Sequence, residues 1–127
     1  GAGGLIRLPE QVPSRIAMEL ALTGDFIDAR RAYEIGLVNR VVDGPAIDGA
    51  LTMASAISAN GPIAVRVSKQ IIVEARSWPA DERWARQAQL LPQVFESADA
   101  REGAAAFAEK RSPRWTGLWI GVEKGPR

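Results

Sequence analysis

Apolar residues recur at helical spacing along almost the whole chain, in segments cut short by glycine and proline. Ser14 stands before Ile16, Ala17, Leu20 and Ala21, and Gly24 is placed as a helix stop. Asp28 is a candidate N-cap for a short helix through Ala29, Ala32 and Ile35, ended by Gly36. Helical period returns at Ile47, Ala50, Leu51, Ala54 and Ile57. Asn60-Gly61-Pro62 closes that helix and opens another, which carries Ile63, Val67, Ile71 and Val73. A further helix runs from Ala80 to about Ser97, with Trp84, Ala88, Leu91 and Phe95 on one face and a kink or division at Pro92. Ser97 or Asp99 caps a last helix bearing Ala100, Ala104, Phe107 and Ala108. Against this pattern, Leu37–Val42 alone reads as a strand, from its β-branched residues. Gly1–Gly4 is a Gly-rich turn, followed by a Pro-bounded stretch ending at Pro13. The chain is therefore predicted to be mainly helical, with about one short strand.

Composition narrows the chemistry. The chain has 127 residues, 46% hydrophobic and 24% charged, which excludes a low-complexity or wholly disordered polypeptide. Charges interrupt every apolar run before the roughly 20 residues a membrane span needs. A net charge of +1 gives no electrostatic reason to expect nucleic acid or an anionic membrane. Cys and His are both absent, so thiolate nucleophiles, disulfides, imidazole bases and the commonest metal ligands are unavailable, and no metal site is expected. Chemistry is left to carboxylates, lysine, tyrosine, hydroxyls and backbone amides. No signal peptide is visible, and a start at Gly1 in a Gly-rich turn reads as the middle of a longer polypeptide.

Two segments invite a functional reading. Successive amides in Gly1-Ala2-Gly3-Gly4 can approach an oxyanion, a water or a phosphate without a Cβ in the way; the same residues also make an ordinary tight turn before a helix. Neither a P-loop lysine nor a dinucleotide fingerprint accompanies them. Phe107 and Lys110, three apart, are expected to share a helix face. A ring beside an ammonium suits a purine and a phosphate; a packed Phe beside a solvated Lys is the alternative. The carboxylates Asp81, Glu82, Asp99 and Glu102 read as helix N-terminal charges, and Glu109 is placed to pair with an arginine. The tryptophans read as packing or interface residues.

Taken together, the segments resemble one family in order and spacing. Gly1-Ala2-Gly3-Gly4-Leu5-Ile6-Arg7-Leu8 is similar to the turn that follows the catalytic strand of the enoyl-CoA hydratases of the crotonase superfamily. Ala17–Asp25 resembles the family's helix and its Leu-Thr-Gly-Asp turn. Ala29–Val42, with Gly36-Leu37-Val38-Asn39, resembles its next segment. Ala59-Asn60-Gly61-Pro62 with Val67-Ser68-Lys69, and Glu102-Gly103, Ala106-Phe107 and Glu109-Lys110-Arg111, complete the series, which covers about Gly1 to Trp115.

The resemblance implies an α/β crotonase fold, a ClpP-like spiral of β-α turns followed by a helical C-terminal half. This chain would be the mainly helical C-terminal part. Residues 1–42 would close the spiral core, 43–112 would form a helical oligomerisation and lid region, and 113–127 a tail. The implied reaction adds water to a 2-enoyl-CoA, with two glutamates as acid and base and two backbone amides on the thioester oxygen. All four groups would lie in an N-terminal half upstream of Gly1. Gly1 itself would offer its amide to the catalytic water. Phe107 and Lys110 would reach the adenine and phosphates of a neighbouring subunit's coenzyme A. Coenzyme A is then part of the acyl-CoA thioester substrate, with no separate cofactor, and the partners are the N-terminal half and further copies in a homotrimer or hexamer. A bacterial, cytoplasmic enzyme of fatty acid metabolism is implied. Enoyl-CoA isomerisation, another crotonase-type reaction, or a non-catalytic helical interaction domain are the alternatives.

Overall fold

The computed structural model describes residues 2–118. Among them are helices α1 (Gly4–Gln11), α2 (Ser14–Thr23), α3 (Ala29–Glu34), α4 (Ala46–Ser58), α5 (Pro62–Glu74), α6 (Arg83–Leu90), α7 (Pro92–Phe95) and α8 (Ala98–Ala108). The chain divides into two compact units, Gly1–Thr52 and Met53–Arg127.

In the first unit, α1 packs on α2. Val12, Ala17 and Ile35 are buried together, with Leu8, Ile16, Leu20, Ile27 and Leu37 around them. The expected Pro-bounded stretch is in fact α1. The Ile6 and Arg7 amides both donate to the Gly3 carbonyl, at 3.1 and 2.9 Å, and start the helix despite Pro9 within it. Pro9 lacks an amide to donate, yet Leu8 and Val12 can still turn toward the core. The expected stop of α2 and the expected cap of α3 both hold. Gly24 takes φ 72° and bonds the Leu20 carbonyl, while Asp28 caps α3 by accepting from the Arg31 amide at 2.7 Å.

The expected strand at Leu37–Val42 does not form, and no strand occurs among the described residues. Gly36 is left-handed at φ 78°. The Leu37 and Val38 amides then both turn back to the Ala32 carbonyl, at 2.8 and 3.3 Å. Their donors are used in finishing α3, and β-branched residues without a ladder partner have no reason to extend. Val42 instead lies over α4, where a Cβ on Gly49 would come within 2.8 Å of its Cγ1.

In the second unit, Ile63 and Val67 of α5 are buried, and α7 packs against α5, α6 and α8. The expected division at Pro92 is present: α6 closes with the Leu91 amide on the Gln87 carbonyl, and Pro92 opens α7. Trp84, Ala88 and Phe95 are exposed, and only Leu91 of the expected face is partly covered. Ser97 caps α8. Its buried hydroxyl donates to the Val94 carbonyl at 2.6 Å and accepts from the Ala100 amide at 3.0 Å.

Beyond α8 the chain folds back as a strap. The Arg111 guanidinium grips both oxygens of Glu102, at 2.6 and 3.0 Å. The Arg114 amide donates to the same carboxylate at 2.7 Å. One helical turn earlier, the buried Asp99 accepts from the Thr116 amide at 2.7 Å, the Thr116 hydroxyl at 3.1 Å and the Gly117 amide at 2.9 Å. Between these anchors, the Trp115 indole N–H donates to the Ala59 carbonyl at 2.7 Å. A Cβ on Gly103 would sit 3.3 Å from that ring. Asp99 and Glu102 thus do more than complement the helix dipole: they hold the strap. The Arg111 hydrogen bonds, then the Arg114 amide, hold the Glu102 carboxyl down at about 2, against 4.5 ordinarily.

Two outcomes follow. Ser97→Ala strands the Ala100 amide, while the Val94 carbonyl keeps the Ser97 amide, and should lower unfolding stability by about 1–2 kcal/mol in denaturant titrations. For Glu102 the folded value lies below the unfolded one, so its stabilisation is complete above 4.5 and fades as pH falls through about 2. The thermal midpoint of Glu102→Gln should therefore fall less than that of the parent protein between those two values. Parallel pH profiles would show that the carboxylate does not secure the strap.

Candidate functional site

Gly1 lies outside the described residues. Its neighbours take left-handed backbone, φ 51° at Ala2 and 81° at Gly3, immediately before α1 begins. A tight turn feeding a helix is therefore what the Gly-rich start becomes.

Phe107 occupies the last turn of α8 with 88% of its surface exposed, while its neighbour Ala106 is buried. An aromatic ring on that scale of exposure is out of place in a finished core. Lys110 does not share the helix face expected of it. The helix ends at Ala108, and Lys110 lies beyond Glu109 with φ 53°. The Glu109 amide bonds the Ala105 carbonyl at 2.9 Å, the Lys110 amide that of Phe107 at 3.3 Å, and the Arg111 amide that of Ala106 at 3.0 Å. This is a helix-ending turn whose left-handed position usually falls to glycine. A lysine there carries a backbone cost of roughly 1 kcal/mol.

The charges around this turn divide cleanly. Arg111 is engaged by Glu102 and, through Nε, by Glu109, as expected for the latter. Those bonds, Glu102 first, push the guanidinium further toward its charged form. Lys110 forms no ion pair among the described residues, so its ammonium is available to a ligand. Glu102, held ionised by Arg111, cannot serve as a proton donor near neutral pH. An exposed ring and an unpaired ammonium beside one helix end can bind an aromatic base and a phosphate; they cannot move a proton on a carbon chain. No group of three or more potential metal-ligating side chains occurs among the described residues.

Two hollows accompany this helix end and the first unit. One of about 200 Å³ lies under the strap, lined by Gly61, Val94, Asp99, Gly103 and Trp115. The other, about 230 Å³, is an apolar groove between α1 and α2 lined by Leu5, Leu8, Met18 and Leu22. Reading the sequence missed the strap altogether. Its available signal was the pairing of small residues, Gly61 and Gly103, with the bulky Trp115 that needs their space. Of the tryptophans, Trp78 is buried and Trp115 is hydrogen-bonded, in keeping with packing roles. Trp84 is exposed, and Trp119 lies outside the described residues.

Residues 1–118 match the family described as enoyl-CoA hydratase/isomerase. An enoyl-CoA hydratase of Mycobacterium tuberculosis, EchA19, is 46% identical over 89% of this chain and 43% of its own length. A carnitinyl-CoA dehydratase of Citrobacter koseri is 40% identical over 91% of this chain and 46% of its own. Among solved structures, an enoyl-CoA hydratase from M. tuberculosis H37Rv superposes with a TM-score of 0.88 at 56% identity, over 93% of this chain and 47% of that one. One from Bacillus anthracis gives 0.85 at 38% identity, over 93% and 46%. The chain thus spans less than half the length of these relatives, and its helices are those of their crotonase fold. Ordered motifs, helical architecture and the match over residues 1–118 agree: the chain belongs to the enoyl-CoA hydratase/isomerase family.

Proposed function

We propose that this chain is the coenzyme A-contacting part of an enoyl-CoA hydratase that adds water across the 2,3 double bond of an acyl-CoA thioester. The observation that carries the reading is the family match across residues 1–118. The exposed Phe107 and Lys110, which forms no ion pair among the described residues, support it at the end of α8. Phe107 stacks on the adenine and Lys110 meets a phosphate of coenzyme A bound in a neighbouring subunit. Gly1, within an intact chain, offers its amide to the attacking water. The reading assigns the acid-base glutamates and the amides facing the thioester oxygen to residues outside this chain, which spans less than half the length of its relatives. Glu102 does not replace them, because its carboxylate is committed to Arg111.

Coenzyme A arrives with the substrate, so no separate cofactor is required. Large apolar side chains stand almost fully exposed, Leu22 and Phe26 in the first unit and Trp84 in the second. Such surfaces favour a subunit covered by the rest of its fold and by further copies in a homotrimer or hexamer. A bacterial, cytoplasmic enzyme of fatty acid metabolism fits this chemistry and the bacterial relatives. No helix among the described residues is long and apolar enough to cross a membrane. The likeness to a carnitinyl-CoA dehydratase favours a second reading, removal of water from a hydroxyacyl-CoA, which is the same reaction run in the opposite direction. Isomerisation of the double bond uses the same contacts to coenzyme A.

Loss of enoyl-thioester absorbance on crotonyl-CoA tests the reading. The intact protein should be active and the 127-residue chain alone inactive. Activity in the lone chain would place the acid-base groups wrongly, and an inactive intact protein would favour a non-catalytic interaction domain. In the intact protein, Lys110→Ala should raise KM for crotonyl-CoA about three- to fivefold, in line with an exposed charge pair. It should raise KM for the dephospho-coenzyme A ester less. Equal increases would argue against a phosphate contact.

A further inference from the structure

Lys110 is a residue in the wrong conformation for its type. The turn that ends α8 needs a left-handed residue, glycine would supply it freely, and the chain places a lysine there at φ 53°. Strain of this kind survives only where neighbouring structure enforces it, and its retention points to a use for the side chain. The enforcing structure is visible. Residues on both sides of Lys110 are tied to one guanidinium: Arg111 itself, and Glu109 through Nε. The same guanidinium is fastened by two parallel hydrogen bonds to Glu102, nine residues back on α8. Glu102 is fixed in turn by the Arg114 amide and by its place on the helix. A planar, five-donor group can make this set of bonds at once, whereas a lysine in its place could not.

We infer that Arg111, clamped by Glu102, is a positioning residue that holds Lys110 in its left-handed turn and so sets the ammonium for the phosphate end of the ligand. The inference rests on the proposed contact between Lys110 and coenzyme A. Arg111 touches no ligand in this account; its effect passes through Lys110. It therefore matters only for substrates that carry the adenosine-phosphate end.

The test compares crotonyl-CoA with crotonyl-pantetheine in the intact protein. Arg111→Lys keeps the charge but loses the fork. It should lower kcat/KM for crotonyl-CoA about three- to fivefold and leave crotonyl-pantetheine unchanged. In a Lys110→Ala background the same substitution should cost nothing further. Lys110→Gly should weaken use of crotonyl-CoA like Lys110→Ala while raising the thermal midpoint by about 2–4 °C, because the strain is relieved. Should Arg111→Lys not fold, Glu102→Gln, which keeps the side chain's shape, carries the same comparison. A loss that extends to crotonyl-pantetheine, or that persists in full without Lys110, makes Arg111 merely structural and overturns the inference while the contact at Lys110 stands. No loss at Arg111→Lys alongside a clear loss at Lys110→Ala overturns it equally. If Lys110→Ala itself leaves crotonyl-CoA unaffected, the contact proposed for Lys110 fails, and the inference fails with it.

Discussion

The exposed end of α8 depends on one carboxylate. Glu102 receives both arms of the Arg111 guanidinium and the Arg114 amide, and through them the chain beyond the helix is turned back on itself. An isolated surface ion pair would contribute little, since side-chain entropy and solvent screening offset most of the attraction. Here the geometry is bidentate, a backbone donor joins it, and the buried Asp99 one turn away binds Thr116 and Gly117 independently. Trp115 fills the interval, with its indole on Gly103 and its N–H on the Ala59 carbonyl. Each anchor reduces the freedom the next must lose, so the strap behaves as one cooperative element rather than a sum of contacts. Phe107 and Lys110 sit at the bend that this element imposes.

Local signals were legible where a residue acts on its immediate neighbours. Gly24 and Gly36 as stops, Asp28 as a cap, Pro62 as a helix start and Pro92 as a division all take the expected places, and of the two candidate caps for α8 it is Ser97 that serves. Each rests on a hydrogen bond or a φ restriction within a few residues. Readings that required a distant partner fared differently. Leu37–Val42 has strand composition, but a strand is a pairing, and the amides of Leu37 and Val38 found the end of α3 first. Pro9 argued against a helix in the opening segment, yet the core around Val12, Ala17 and Ile35 recruits Leu8 and prevails over one missing hydrogen bond.

The carboxylates of α8 show the same limit at the site. In the sequence Asp99 and Glu102 look like ordinary acids near a helix N-terminus, since nothing local distinguishes an acid facing solvent from one awaiting a donor. Their donors lie 17 and 9 residues away, at Thr116 and Arg111. Spacing along one helix cannot announce a chain that returns across it. The Phe107–Lys110 pairing was found by a helical rule that does not apply, because the helix ends between them. Both residues lie at the end of α8, Lys110 in a left-handed turn instead of on a shared face.

That substitution of one geometry for another bears on how such a binding element is built. Two side chains on a helix face move with the helix and cannot be tuned separately. A lysine just past the helix end can be, because its direction depends on a backbone turn with its own restraints. The cost is conformational strain, and the Glu102–Arg111–Glu109 cluster opposes it without occupying the ammonium. Arginine suits the restraint, since its fork can be held by two carboxylates at once, and in the proposed contact the compact lysine ammonium, unpaired among the described residues, meets the phosphate.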